Sequence, residues 1–252
     1  MSRVALIGDN TIEYVDILLK IWNMGDCAVL IDWRIPLITA VDMMQQADVN
    51  TCYIERKYFP DTCIKNKCNI DFITFEVLNK EAQILPIKVR EQFKENYTYD
   101  EALVIYSSGT TGKSKGVILS HYAINTNADA VINYMKLSAN DCFYIAKTLS
   151  HSSTITGELL VALKSGVNTI IAPVIVPPRY VFENIQRFSV SIICVNPSLL
   201  RLFSREQALK QYKLASLKTY MSVGRYLILK RTFMHILHLK TLQFTMYMVY
   251  LN

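Results

Sequence analysis

Short apolar runs alternate with helix-period segments along most of the chain, and this alternation restricts the fold more than any other feature. VALIG (4–8) and CAVLI (27–31) are typical of buried strands. Between them lies a segment whose apolar residues recur at helical spacing, namely Ile12, Val15, Leu18, Leu19 and Trp22. Asn10 or Thr11 is a suitable helix cap before it, and Gly25 is a suitable stop after it. The strand–helix–strand order predicts an α/β fold with mostly parallel sheets and helices packed on them.

The same alternation continues after a more polar and less periodic stretch at 55–99. Pro36 can open a second helix. Further strands are predicted at 71–75, 101–106, 142–146, 168–172, 190–195 and 217–223, and further helices at 121–136, 156–165, 180–188 and 197–203.

Composition restricts the compartment and the partners. A chain of 252 residues with 51% hydrophobic and 19% charged residues can bury a sizeable core. The net charge is +6, but residues 225–252 hold four of the 27 basic residues and none of the 21 acidic ones. The body is therefore near neutral, and we expect no nucleic-acid partner.

The termini and the cysteines point to the cytoplasm. The N-terminus has no signal-peptide layout, and no apolar run reaches the about 18 residues that span a membrane. The six cysteines include no C-x-x-C pair, and Cys27, Cys142 and Cys194 lie in apolar runs typical of buried thiols. We therefore expect a cytoplasmic protein without membrane insertion.

The stretch YSSGTTGKSKGVILSH (106–121) follows the predicted strand at 101–106 directly. It combines hydroxyl donors, flexible glycines and positive charge in Ser107, Ser108, Gly109, Thr110, Thr111, Gly112, Lys113, Lys115 and Gly116. Such residues let backbone N–H groups approach phosphate oxygens and neutralise their charge. Open α/β sheets bind ligands at the carboxyl ends of their strands, so the position suits a nucleotide-phosphate loop.

Two other interpretations compete for this loop. Gly112-Lys113-Ser114 resembles the end of a Walker A motif, but that motif requires glycine at 107, where this chain has serine. VILSH (117–121) is also more typical of a strand than of the helix that follows a Walker loop. The second alternative is a plain flexible turn, which the length and order of the string make less suitable.

The string resembles the phosphate-binding signature of the AMP-forming adenylating enzymes, Y-[ST]-S-G-T-T-G-x-P-K-G-V. It departs at Ser114, where proline is usual. The resemblance extends from about Arg3 to Gly224 and includes a D-x-R-x-P turn at 32–36. It implies an incomplete N-terminal domain of the acyl-adenylating fold over residues 1–224.

The resemblance also implies a reaction. A carboxylate attacks the α-phosphate of ATP to give an acyl-adenylate and pyrophosphate, and a thiol such as coenzyme A then takes the acyl group. Residues 107–116 would hold the β- and γ-phosphates, with Thr110 near Mg²⁺ and Lys115 neutralising charge. The substrate would be a small-molecule carboxylic acid; its identity and the oligomeric state stay open.

Two further site residues follow from the resemblance. His151, in TLSHSSTITG (148–157), falls where acyl- and aryl-acid ligases carry a histidine close to the carboxylate. Amino-acid-activating members usually carry Asp there, so His151 argues against an amino-acid substrate; the alternative is a histidine in a local hydrogen bond. Gly224 matches the glycine strand that lines the acyl and adenine pockets. His121 is interpreted as a helix-start residue.

The tail at 225–252 departs from the family. The Y-G-x-[ST]-E motif that follows the glycine strand in family members does not occur in it. Shifting the reading frame of QFTMYMVY (243–250) by two bases is compatible with I-Y-N-V-Y-G-L-[SP]-E. We therefore expect a frameshift after Gly224, natural or from sequencing, with a truncated and inactive chain as the result.

Two alternatives from other classes remain open at this stage. One is a non-catalytic nucleotide-binding or interaction module that keeps the loop. The other takes the basic tail at 225–252 as a membrane-surface anchor.

Overall fold

The computed structural model describes residues 1–59, 68–107, 115–174, 177–204, 211–222 and 243–246. The chain divides into two compact units. Unit 1 comprises Met1–Lys80, Pro86–Asn127 and Thr148–Ser152, whereas unit 2 comprises Glu81–Leu85, Ala128–Lys147 and Ser153–Asn252. Residues 81–85 and 148–152 are thus short excursions of the chain from one unit into the other.

Twelve strands occur in the described residues. They are β1 (Arg3–Ile7), β2 (Cys27–Ile31), β3 (Thr51–Glu55), β4 (Asp71–Phe75), β5 (Gln83–Ile84), β6 (Glu101–Ser107), β7 (Lys115–Ser120), β8 (Cys142–Ile145), β9 (Asn168–Ile171), β10 (Ile192–Val195), β11 (Thr219–Ser222) and β12 (Gln243–Met246).

The helices of the described residues alternate with these strands. They are α1 (Ile12–Asn23), α2 (Leu37–Gln46), α3 (Ile87–Arg90), α4 (His121–Met135), α5 (Ser152–Thr154), α6 (Leu160–Ser165), α7 (Pro178–Arg187) and α8 (Pro197–Ser204). A 3₁₀ turn follows β3 at Arg56–Tyr58, and a π-helical turn at Ile155–Leu159 joins α5 to α6.

The sheet of unit 1 has the strand order β4-β3-β1-β2-β6-β7. Its strands pair in parallel except β7, which returns antiparallel to β6. The sheet of unit 2 has the order β12-β11-β10-β8-β9-β5, also parallel except for the edge strand β5. The predicted α/β class with mostly parallel sheets is therefore confirmed.

The first helix shows how local sequence fixes these elements. The Thr11 hydroxyl accepts a hydrogen bond from the Tyr14 N–H at 3.1 Å, which caps α1. Val15, Leu18 and Leu19 are buried against the sheet, and Gly25 follows the helix at φ +78°, a left-handed conformation that glycine adopts without strain. The predicted helix, its cap and its stop are all present.

The tail is described only in part. Gln243–Met246 forms β12 and pairs in parallel register with β11. Gly224 and the rest of residues 225–252 lie outside the described residues, so the domain boundary at 224 and the frameshift remain predictions. No helix in the described part of the chain is long and apolar enough to cross a membrane.

Candidate functional site

The parallel strands of unit 1 end at one edge of their sheet, and polar residues follow each of them. Asp9 and Asn10 come just after β1, Asp32 comes directly after β2, and Glu55 is the last residue of β3. β6 ends at Ser107 on the same edge. The carboxyl edge of this sheet is therefore polar, and open α/β sheets bind their ligands at this edge.

The predicted phosphate loop lies between β6 and β7. Tyr106 pairs with Gly116 and Ser107 pairs with Lys115, so the two strands bracket residues 108–114. Those residues lie outside the described part of the chain, and they include the predicted contacts Ser108, Gly109, Thr110, Thr111, Gly112 and Lys113. Lys115 and Gly116 are exposed on β7.

Packing around Gly116 limits what this position tolerates. A Cβ atom there would lie 3.2 Å from Val104 Cγ1 and 3.4 Å from Tyr106 Cε1. The Tyr106 hydroxyl donates to the Met43 carbonyl at 2.5 Å, and burial raises the pKa of Tyr106. The return strand is thus held close to β6 at the start of the loop.

A buried carboxylate organises the ends of β1 and β3. Glu55 is 2% exposed, and its Oε2 accepts the Asp9 N–H at 3.1 Å. Its Oε1 lies 3.1 Å from Lys57 Nζ, which is also 3.9 Å from Asp9 Oδ2. A Cβ atom on Gly8 would lie 2.9 Å from Cζ of Phe75, so a larger residue at this position would require the Phe75 ring to shift.

Two aromatic rings support the lysine of this cluster. Trp33 and Tyr58 stack with centroids 4.8 Å apart, and Lys57 Nζ lies 4.5 Å from the centre of the Tyr58 ring. Although burial opposes it, contacts with Tyr58 and Glu55 raise the pKa of Lys57, and burial raises the pKa of Tyr58 to about 12. The lysine therefore stays positively charged at neutral pH.

His151 is exposed in unit 1 and acts electrostatically on Asp32. Burial by itself raises the pKa of Asp32, but hydrogen bonds from Arg34 lower it below its usual value, and His151 acts in the same direction. The Arg34 guanidinium forms an ion pair with the Asp32 carboxylate within the predicted D-x-R-x-P turn. The backbone N–H of His151 donates to the Thr148 carbonyl at 3.2 Å, and the role of its imidazole remains a prediction.

Sequence reasoning missed a polar residue that holds the His151 segment. Asn10 is 2% exposed, and its Oδ1 accepts the Leu149 N–H at 2.8 Å across 139 residues of sequence. From the sequence, Asn10 was identified only as a helix cap, a role that Thr11 fills. No local pattern signals a contact over this separation.

Sequence reasoning also missed a buried ion pair in unit 2. Lys147 Nζ lies 2.8 Å from Glu158 Oε1, with side chains 8% and 0% exposed. Although burial opposes it, the neighbouring carboxylate raises the pKa of Lys147, and burial raises the pKa of Glu158. The Cys194 thiol beside them has a pKa raised to about 12, chiefly by burial.

Two candidates remain, the predicted helix-start residue His121 and the predicted metal contact Thr110. His121 begins α4, as predicted, and packs edge-to-face on Trp22 with centroids 6.1 Å apart. Burial lowers the pKa of His121. Among the described residues there is no group of three histidine, cysteine or acidic side chains that could hold a metal ion, and Thr110 lies outside them.

The fold is that of an α/β protein, and the candidate phosphate loop follows β6 at the carboxyl edge of a mostly parallel sheet. A family model described as AMP-binding enzyme matches residues 1–233, so the chain belongs to the AMP-binding enzyme family. The resemblance inferred from residues 106–121 is thereby confirmed.

Two of the chain's relatives are CoA ligases by name. The chain is 30% identical over 124 residues to a probable 4-coumarate–CoA ligase 3 of Dictyostelium discoideum, covering 48% of this chain and 22% of that protein. It is 28% identical over 206 residues to a 2-succinylbenzoate–CoA ligase of Bacillus cytotoxicus, covering 79% of this chain and 39% of that protein. The matched part thus spans well under half of each relative.

A solved structure shows the same fold. The anthranilate CoA ligase AuaEII, in complex with anthranoyl-AMP, superposes with a TM-score of 0.78 at 18% identity, covering 98% of this chain and 49% of that one. The fold of this chain is therefore that of about half of an acyl-CoA ligase.

Proposed function

We propose that the whole protein activates a small carboxylic acid with ATP and passes the acyl group to coenzyme A. In the first step a carboxylate oxygen attacks the α-phosphorus of ATP, and the bond to pyrophosphate breaks. In the second step the thiol sulfur attacks the acyl carbon, AMP leaves, and the thiol proton is lost. The observation that carries this proposal is membership of the AMP-binding family combined with the phosphate-loop sequence at the carboxyl end of β6.

The residue roles belong to the proposal as well. Residues 107–116 would hold the β- and γ-phosphates, with Lys115 neutralising charge and Thr110 near Mg²⁺, and Gly224 would line the acyl and adenine pockets. His151 would face the carboxylate of the acid, which therefore carries no α-ammonium group. Most of this chemistry is positioning and charge stabilisation, because the acid supplies its own nucleophile.

The compartment is part of the proposal. Cys27, Cys52, Cys142 and Cys194 are buried thiols outside any disulfide, which supports a cytoplasmic protein. Burial raises the pKa of Cys27 and Cys194 to about 12, so both thiols stay protonated at neutral pH.

We expect this chain by itself to bind nucleotide weakly and not to turn over. ATP–pyrophosphate exchange with the purified chain and a panel of acyl and aryl acids measures this directly. Exchange above the enzyme-free background would contradict the expected inactivity.

Sequencing the coding DNA around codon 224 tests the expected frameshift. The prediction is a frame that encodes Tyr-Gly-x-x-Glu where QFTMYMVY is translated; a DNA sequence without it would overturn the frameshift. If the frame is present, exchange by the frame-restored protein supports acid activation. ATP binding that persists without exchange in that protein would instead support the non-catalytic nucleotide-binding module.

A further inference from the structure

His151 lies on a five-residue excursion of the chain, Thr148–Ser152, which we name the His151 loop. The chain leaves unit 2 after Lys147, contributes the loop to unit 1, and returns to unit 2 at Ser153. His151 is its only exposed residue, and the other four are buried. Holding such a segment in one geometry costs conformational freedom, so its contacts must compensate for that loss. The four hydrogen bonds described below, at its base and along its backbone, are buried.

The base of the loop is closed by its own flanking residues. Lys147 Nζ donates to Ser153 Oγ at 3.0 Å, which joins the residue before the loop to the residue after it. The same ammonium pairs with Glu158 at 2.8 Å, and Glu158 is fully buried in the π-helical turn. π-Helical turns within α-helices often occur at functional sites.

The backbone of the loop is held from β1. Asn10 Oδ1 accepts the Leu149 N–H at 2.8 Å, two residues before His151. The backbone N–H of Asn10 in turn donates to Asp9 Oδ1 at 2.8 Å, which holds the backbone of the residue that accepts from Leu149. Within the loop, the Thr148 and Ser150 hydroxyls lie 2.9 Å apart.

Stability alone is a weak reason for this arrangement. Replacing a buried ion pair with apolar side chains of similar volume is often neutral or stabilising, so the pair is not needed to hold a core together. The buried pair is better explained as a means of holding the loop in one geometry. Lys147 contacts both Ser153, at the base of the loop, and the buried Glu158.

We propose that Asn10 and Lys147 are positioning residues that hold the His151 loop in one conformation and thereby restrict the position of the His151 imidazole. The role of His151 toward the acid rests on the proposed function. The positioning itself does not.

The test follows the NMR signal of the His151 imidazole in the purified chain, labelled with ¹³C-histidine. The signal is assigned by its loss in His151→Gln. Asn10→Leu keeps the side-chain volume but removes the acceptor. We expect it to shift the His151 signal and to speed exchange of the Leu149 amide by about tenfold or more. Asn10→Gln keeps an uncharged amide oxygen as acceptor and should leave both readouts closer to the unsubstituted chain than Asn10→Leu does.

The double variant Lys147→Met/Glu158→Leu separates positioning from stability. It removes both charges together, so we expect near-normal stability but a shifted or broadened His151 signal. Lys164→Met is the matched control, because Lys164 is a buried lysine that pairs with Asp129 at 2.7 Å within unit 2. It should leave the His151 signal unchanged.

An unshifted His151 signal in both Asn10→Leu and the double variant would overturn the proposal. An equal shift in Lys164→Met would overturn it too, because the effect would then be a general loss of structure. None of these measurements contains ATP, so failure of the proposed function and failure of the positioning inference give different results.

Discussion

Two ion pairs, one in each unit, differ sharply in burial, although both sheets are parallel with one antiparallel edge strand. At the carboxyl edge of unit 1, the Arg34 and Asp32 side chains are 45% and 22% exposed. In unit 2, the Lys147 and Glu158 side chains are 8% and 0% exposed. When an exposed ion pair is broken, water solvates the charge that remains. When a buried pair is broken, the remaining charge has no such replacement for its partner. The first arrangement is suited to meeting a ligand and the second to fixing a conformation.

Breaking the buried pair should have the largest effect. Lys147→Met leaves the Glu158 charge uncompensated, and we expect the free energy of unfolding to fall by about 3–5 kcal/mol. Chemical denaturation followed by far-ultraviolet circular dichroism measures the loss. Lys147→Met/Glu158→Leu should recover most of it; a double variant as unstable as the single one would contradict the comparison.

An intermediate effect is expected at Asp141, a buried carboxylate of unit 2. Its Oδ2 accepts from the Ser138 N–H and hydroxyl, and its Oδ1 accepts from Ser191 and Lys218. Asp141→Asn turns one of these acceptors into a donor, so we expect a loss of about 1–3 kcal/mol at pH 7. Glu183→Gln, at an exposed position of α7, should change stability little.

The pH dependence of the Asp141 effect has a definite sign. Burial alone raises the pKa of Asp141, but its hydrogen bonds, first that from the Ser138 N–H, lower the pKa below the usual value. A depressed pKa stabilises the fold above the unfolded value of about 3.9 and loses this contribution as the pH falls through the folded value. The difference in free energy of unfolding between the unsubstituted chain and Asp141→Asn should therefore narrow below about pH 4. A difference that grows there would contradict this account.

The smallest effect is expected at the exposed pair of unit 1. Arg34→Met removes the partner of Asp32, and we expect the free energy of unfolding to change by less than about 1 kcal/mol. Thermal unfolding at low and high salt measures it, with a smaller difference at high salt. A loss of stability as large as that of Lys147→Met would show that the exposed and the buried ion pair do not differ in this way.

The same contrast explains what the sequence could predict. The strands and helices were predictable because apolar periodicity, the Thr11 cap and Gly25 are local signals. β5 has only two residues and forms because β9 pairs with it, so it has no local signal. The pairing of Lys147 with Glu158 and of Asn10 with Leu149 depends on tertiary packing, and lysine and glutamate are ordinarily exposed.

The phosphate loop is a different case, because its signal is a sequence motif. The order of glycines, hydroxyls and lysines in residues 106–121 pointed to the family, and the family match over residues 1–233 confirms it. The contacts of Thr110, Lys113 and Gly224 remain predictions, because these residues lie outside the described part of the chain.

Calorimetric titration of ATP into the purified chain tests the central claim most directly. The account predicts weak, saturable binding that Lys113→Ala/Lys115→Ala weakens by about tenfold or more, since charge-assisted contacts to phosphate are lost. Lys88→Ala/Lys94→Ala removes the same charge at exposed positions of unit 1 and should bind like the unsubstituted chain. Equal binding by all three proteins, or no binding by the unsubstituted chain, would contradict the assignment of residues 107–116 as an ATP phosphate loop.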